Sequence, residues 1–96
     1  MHVTTTRDGH KAVVAVSGDL DAETSPKLEA EFAGLRNLGT RSLVVDMSGV
    51  AFLGSSGLSV LIVAQRGVEE FTLLRGNNMV DRLIALTGLE RLYGAD

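Results

Sequence analysis

Ser55 and Ser56, set between Gly54 and Gly57, are the residues whose types and spacing most suggest chemistry. Three enzymatic uses of such hydroxyls can be checked against the chain. A phosphate-cradling loop would use Gly49 and Gly54 as its glycines. The Lys that neutralises phosphate charge should follow, and Ser55 and Ser56 stand there instead. A nucleophile elbow needs Gly two residues before and two after the serine. Ser56 has Gly54 before it but Leu58 after it, and Ser55 has Gly57 after it but Leu53 before it. The general base is also missing, because the two histidines, His2 and His10, belong to the first ten residues. No His, Cys and carboxylate spacing suits a metal, and the chain has no Cys. The expectation is a protein that is not an enzyme and uses no cofactor.

A hydroxyl at the mouth of a helix has another use, as an acceptor of a modification. It faces unpaired backbone N–H groups and the positive end of the helix dipole. Those groups tolerate a phosphate without melting the helix. Small neighbours leave room for a modifying enzyme. On the residues alone, an N-cap at Ser55 or Ser56 is the simpler account.

The elements that must position these serines follow from pattern. Val3 to Thr6 and Ala12 to Val16 flank Asp8-Gly9, a strong hairpin signal, so residues 2–17 read as an antiparallel β-hairpin. Thr24-Ser25-Pro26 opens a helix whose stripe is Leu28, Phe32, Leu35 and Leu38, closed by Gly39. Leu43 to Val45 reads as a buried strand, Ser48-Gly49 as a turn, and Val50 to Leu53 as a second short extended piece. Leu58, Leu61, Ile62 and Gln65 give helical spacing over Gly57 to Arg66. That helix is apolar around most of its circumference, so it is either deeply buried or docks a partner on its outer side. The residues expected on that side are Ser59, Val60 and Val63. Glu69 to Leu74 supplies another strand. Asn78 is the expected cap of a closing helix that carries Val80, Leu83 and Ile84, with Gly88 at its end. Leu43, Val44, Val45, Leu61, Ile62, Leu73, Leu83 and Ile84 are expected in the core.

The fold class expected is α/β. A mixed sheet of four or five strands is opened by the antiparallel hairpin, and the helices pack mainly on one face. Its β-strand, helix, β-strand crossover should be right-handed. The 96 residues suffice for one domain, 1–96. A formal charge of -3 argues against a nucleic-acid partner. No run approaches the ~18 apolar residues of a membrane span, and Met1-His2-Val3-Thr4 lacks a basic start and an apolar stretch. A cytoplasmic domain without membrane attachment is the expectation.

Three segments in order resemble one family. They are Asp46-Met47-Ser48-Gly49 with Phe52-Leu53 and Ser55-Ser56-Gly57-Leu58; Gly18-Asp19-Leu20-Asp21 with Thr24; and Val80 to Leu89, ending Leu86-Thr87-Gly88-Leu89. Together they resemble the STAS domain in its branch of anti-sigma factor antagonists. Gly54 stands where that family often has Asp. The resemblance implies that Ser55, first of the Ser-Ser-Gly triplet, is the phosphoacceptor. It places Asp21 near the phosphoserine loop. Asp21, Gly54, Ser56, Gly57, Leu58, Ser59, Val60 and Val63 are then the expected partner-binding residues. The implied partners are an anti-sigma serine kinase of the ATPase type and a serine phosphatase, and the reading is compatible with a homodimer. Unmodified, the domain would bind the kinase and free a sigma factor; phosphorylated, it would not. Two rivals are a STAS regulatory subunit of a lipid-transport ATPase complex or stress-signalling scaffold, and a small-ligand sensor using the cleft near Asp21 and Ser55.

Overall fold

The computed structural model describes residues 1–94; residues 95 and 96 of the expected span lie outside it. The chain runs β1 (His2–Asp8), β2 (Lys11–Leu20), α1 (Ser25–Asn37), β3 (Ser42–Leu53), α2 (Ser55–Arg66), β4 (Glu70–Leu74), α3 (Asn78–Leu86) and a short 3-10 turn, Leu89–Leu92. The strands form one sheet in the order β1-β2-β3-β4. β1 and β2 are antiparallel, turning at Gly9, whose φ of 61° is a conformation glycine adopts freely. β2, β3 and β4 are parallel, joined through α1 and α2.

Register explains which face is covered. Ala12 pairs with Leu43, Val14 pairs with Val45, and Val45 pairs with Leu73; all are buried. Val13, Ala15 and Val44 point the other way and are half-buried. The helices therefore cover one face and leave the other partly open. Leu28, Phe32 and Leu35 of α1 are sealed against the covered face together with Leu61 and Ala64 of α2 and Val80 and Ile84 of α3. Each such large side chain contributes about 1.5–3 kcal/mol by leaving water.

Several sequence expectations need correcting. Ser48-Gly49 is not a turn: β3 is one strand from Ser42 to Leu53. Its pairing with β2 slips twice. Between the pairs Ala15–Asp46 and Ser17–Gly49, β3 carries one extra residue, and between Gly18–Val50 and Asp19–Phe52 another. These are β-bulges. At the first, the Asp46 carboxylate accepts from the Ser48 N–H at 3.0 Å. Gly49 suits that site because a Cβ there would lie 2.8 Å from the Ser17 Cβ. Leu38 is not part of the buried stripe. It caps α1 and is 59 % exposed, since the helix ends there and Gly39 turns away with φ 84°. Val44, Ile62 and Leu83 are only partly buried, Val44 because it lies on the open sheet face. Asn77, not Asn78, caps α3: its side-chain oxygen accepts from the Val80 N–H at 2.8 Å.

Behind the closing turn, the chain runs alongside β4. Tyr93 bridges Leu73, and the Gly94 N–H donates to the Leu73 carbonyl at 3.0 Å. The Tyr93 hydroxyl donates to Asp81 at 2.7 Å, and the Arg75 guanidinium lies 4.7 Å above the Tyr93 ring. The segment after the closing turn thus covers part of the β4 edge, which would otherwise present unpaired backbone groups.

Candidate partner-binding site

The carboxyl ends of β2 and β3 lie side by side, with Leu20 paired to Leu53. From these ends the chain enters α1 and α2, so the Asp21 turn and the serine pair emerge on the same edge of the sheet. The outer side of the strands' carboxyl ends is where open α/β sheets commonly place binding sites.

At the second of these ends, the Gly54 N–H donates to the Leu20 carbonyl at 2.9 Å, which ties the loop to β2. Gly54 is the N-cap of α2, in an extended conformation with φ -98°. The serines are therefore not caps, as the sequence suggested. Ser55 is the first helical residue and Ser56 the second, and among the described residues no side chain caps this helix. A glycine cap has no oxygen to offer the first turn, so the positive helix end beside the exposed Ser55 hydroxyl carries no neutralising side chain.

At the other end, Asp21 has a defined local task. Its carboxylate accepts from the backbone N–H of Glu23 at 3.0 Å and of Thr24 at 3.1 Å. Thr24 returns the contact: its hydroxyl accepts from the Asp21 N–H at 2.9 Å and donates to the Asp19 carbonyl at 2.8 Å. The Thr24 N–H is the main reason the Asp21 carboxyl sits below its ordinary value, because hydrogen bonds to the charged form favour it. Asp21 therefore organises the turn that leads into α1 and remains charged there.

The expected partner residues separate into two groups. Ser55 and Ser59 are exposed, Val63 is 50 % exposed, and Leu58 and Ser56 are half-buried. The Ser59 hydroxyl donates to the Ser55 carbonyl at 3.1 Å, within the helix. Val60 belongs elsewhere. It is 7 % exposed and sits in the core, because α2 packs against α1 and the core and turns that position inward. Gly57 is likewise buried. A Cβ there would lie 2.7 Å from Leu20 Cγ and 2.8 Å from Leu53 Cδ1, so the missing side chain is what lets α2 approach the strand ends. Gly57 is thus buried away from the surface, and what little of Val60 remains exposed faces the cleft between α1 and α2.

Two residues near the serines escaped the sequence reading. Phe52 is 45 % exposed at the end of β3, and its ring lies over Gly54. The two bulges cancel, so Phe52 faces outward as alternation from Leu43, Val45 and Met47 places it, and Val50 is the residue they turn inward. Asn77 caps α3 with one end of its amide and donates to the Val50 carbonyl with the other, at 3.1 Å. It thus fastens α3 to the strand that carries Phe52 and Ser55. Its signal was an asparagine before an apolar helix, offset by one residue.

A cleft of about 370 Å³ opens between α1 and α2 beside these groups. Ala22, Pro26 and Glu29 line it on one side, and Ser56, Ser59 and Val63 on the other. His10 lies at the amino end of β2, remote from this edge, with its ring Nδ1 3.2 Å from the Gly39 carbonyl. Among the described residues, no group of His, Cys, Asp or Glu is placed to hold a metal ion. No helix of the described residues is long and apolar enough to cross a membrane.

This arrangement has relatives. A chain from Staphylococcus aureus (strain NCTC 8325 / PS 47), named anti-sigma-B factor antagonist, is 29% identical over 96 residues, which is 96% of this chain and 89% of that one. The crystal structure of an anti-sigma factor antagonist from Mycobacterium paratuberculosis superposes with a TM-score of 0.86 at 30% identity, covering 96% of this chain and 81% of that one. The anti-sigma factor antagonist SpoIIAA in its unphosphorylated form gives a TM-score of 0.88 over 97% of this chain and 86% of its own, at 17% identity, and so shares the fold. Residues 3–94 match the family described as Mlab, STAS domain, and with nearly the whole chain covered the protein belongs to that family.

Proposed function

We propose that this protein is an anti-sigma factor antagonist of a partner-switching system, with Ser55 as its phosphoacceptor. The unmodified domain binds an anti-sigma serine kinase of the ATPase type and so releases a sigma factor. Phosphorylation of Ser55 blocks that binding, and a serine phosphatase restores it. The observation that carries this reading is the exposed Ser55 at the start of α2, where no side chain of the described residues caps the helix, with Phe52 before it and Val63 farther along the helix also exposed. The names of the relatives supply the class of partner.

The physics of the switch follows from the position. In the free domain a phosphate at Ser55 meets helix N–H groups and the positive dipole end, so the modified protein stays folded. In the complex the same charge faces a surface fitted to a neutral hydroxyl. A desolvated, unpaired charge at an interface costs on the order of 2–5 kcal/mol, about thirty- to several-thousand-fold in affinity. Asp21 then acts by shaping the neighbouring turn, and Phe52, Ser59 and Val63 form the contact surface.

The test is incubation of the domain with a cognate kinase and ATP, followed by mass spectrometry and affinity measurement. Phosphate is expected on Ser55, Ser55→Ala should bind constitutively, and Ser55→Asp should bind weakly. Phosphate on Ser56 alone would move the assignment by one residue. A kinase that binds yet modifies neither serine would refute the switch and favour a STAS subunit that works without phosphorylation, the outcome that Gly54 in place of the family's Asp would then mark.

A further inference from the structure

The cleft between α1 and α2 is rich in hydrogen-bond acceptors. Ser25 lines it and is 3 % exposed, and its hydroxyl is buried without a hydrogen-bond partner among the described residues. A buried hydroxyl left unpaired is costly, so such a group marks a place where a ligand atom is favoured. Ser59 has already committed its proton to the Ser55 carbonyl and retains only lone pairs. Glu29 adds a carboxylate, which accepts and never donates when ionised.

The start of α1 does not offset this bias. An anion would seek free N–H groups at a helix start. Here the Ser25 N–H donates to the Asp21 carbonyl at 2.8 Å, the Lys27 N–H donates to the Thr24 carbonyl at 3.0 Å, and Pro26 has no N–H. Ser56 adds one more hydroxyl, able to donate or accept, where α2 begins; the rest of the wall is carbon, from Ala22, Pro26, Val60 and Val63, and among the described residues no basic side chain lines it. The segment leading into α1 adds the acidic Asp19, Asp21 and Glu23. Carbon walls suit a methylene stem, and acceptors with a carboxylate suit a cationic head that carries several donors.

We propose that this cleft receives one lysine or arginine side chain of the anti-sigma partner, its stem against Pro26 and Val63 and its head at Glu29 and Ser25. This rests on the partner-binding reading above and adds a second anchoring point beside the phosphoacceptor. Ser55 does not line the cleft, so the anchor and the switch are separable by mutation.

The experiment has two arms on the whole domain. In the first, n-butylguanidinium chloride is titrated into the isotopically labelled protein and backbone amide shifts are followed. Saturable shifts are expected at Ser25, Glu29, Ser59 and Val63, weakened in Glu29→Gln and absent with n-butanol. In the second, affinity for the anti-sigma partner is measured. Glu29→Gln should weaken it by roughly fivefold, the scale of a partly exposed charge pair, and n-butylguanidinium should compete. Glu69→Gln, an exposed acid remote from the cleft, should change neither arm. No saturable shift, or equal shifts with n-butanol, overturns the proposal. So does saturable binding with partner affinity unchanged in Glu29→Gln, which would indicate a site for a free small cation. Failure of the switch has a separate signature: Ser55→Asp would then bind as tightly as wild type, whatever Glu29 does.

Discussion

Replacing glycine by alanine in two helices of this protein should have opposite effects. In α1, Gly34 is exposed, and a Cβ built there meets nothing within 4 Å. Gly34→Ala should stabilise by about 0.5–1 kcal/mol, because alanine loses less backbone entropy in a helix. In α2, the same Cβ at Gly57 would lie 2.7 and 2.9 Å from Leu20 side-chain carbons and 2.8 Å from Leu53 Cδ1. Leu20 and Leu53 are 0% and 1% exposed, so neither side chain can swing into solvent. Overpacking a sealed site typically costs about 1–3 kcal/mol. After the helix-propensity gain is subtracted, Gly57→Ala should lose about 1–2 kcal/mol. The two variants should thus differ by about 2 kcal/mol, or ~8–16 °C in melting temperature for a domain of this size. Thermal and urea unfolding measure both directly. A Gly57→Ala protein as stable as wild type would refute the claim that α2 docks against the strand ends through that glycine. The variant should also weaken partner binding, since relief of the clash moves Ser55 with the helix.

Three further outcomes follow from packing and hydrogen bonding. Ile84 is fully buried and Leu83 only partly, so Ile84→Ala should cost about 2–5 kcal/mol and Leu83→Ala clearly less in urea unfolding; equal losses would mean α3 is rotated from the orientation described. Val63→Asp should remain folded by circular dichroism, whereas Val60→Asp should unfold, because only Val60 is sealed inside; an unfolded Val63→Asp would remove Val63 from the partner surface. Burial first, and the neighbouring Asp81 second, hold the Tyr93 hydroxyl above its ordinary value of 10.0. A raised pKa in the folded state means this contribution is complete below about pH 10 and declines as pH rises beyond it. Wild type should therefore lose its stability advantage over Tyr93→Phe progressively as pH is raised above about 10; a constant difference would show that the Tyr93 hydroxyl titrates alike in the folded and unfolded chain.

Much of this protein was legible locally. Asp8-Gly9 makes a hairpin because glycine alone adopts the required φ without strain, and Gly39 and Gly88 end helices for the same reason. Helical spacing and the Pro26 start mark α1 without reference to any neighbour. The position of Ser55 at the start of α2 also follows from small residues preceding an apolar helical run. What remained hidden depends on contacts between distant segments. Two bulges in β3 replace the period of two by burial of Met47, Val50 and Leu53. The first turns Val50 inward and the second restores the alternation, so that Phe52 faces outward and Leu53 the core. Val60 and Val63 are chemically identical and both lie off the first apolar stripe. Only the packing of α2 against α1 and the core decides that Val60 is core and Val63 is surface. The cleft itself is a product of the same packing, since its two walls come from helices separated in sequence by an entire strand. Sequence sets the local conformations, through steric and periodic rules that act within a few residues. The side that faces a partner is set by how those conformations pack, because burial is a property of the whole assembly of elements and not of any one of them.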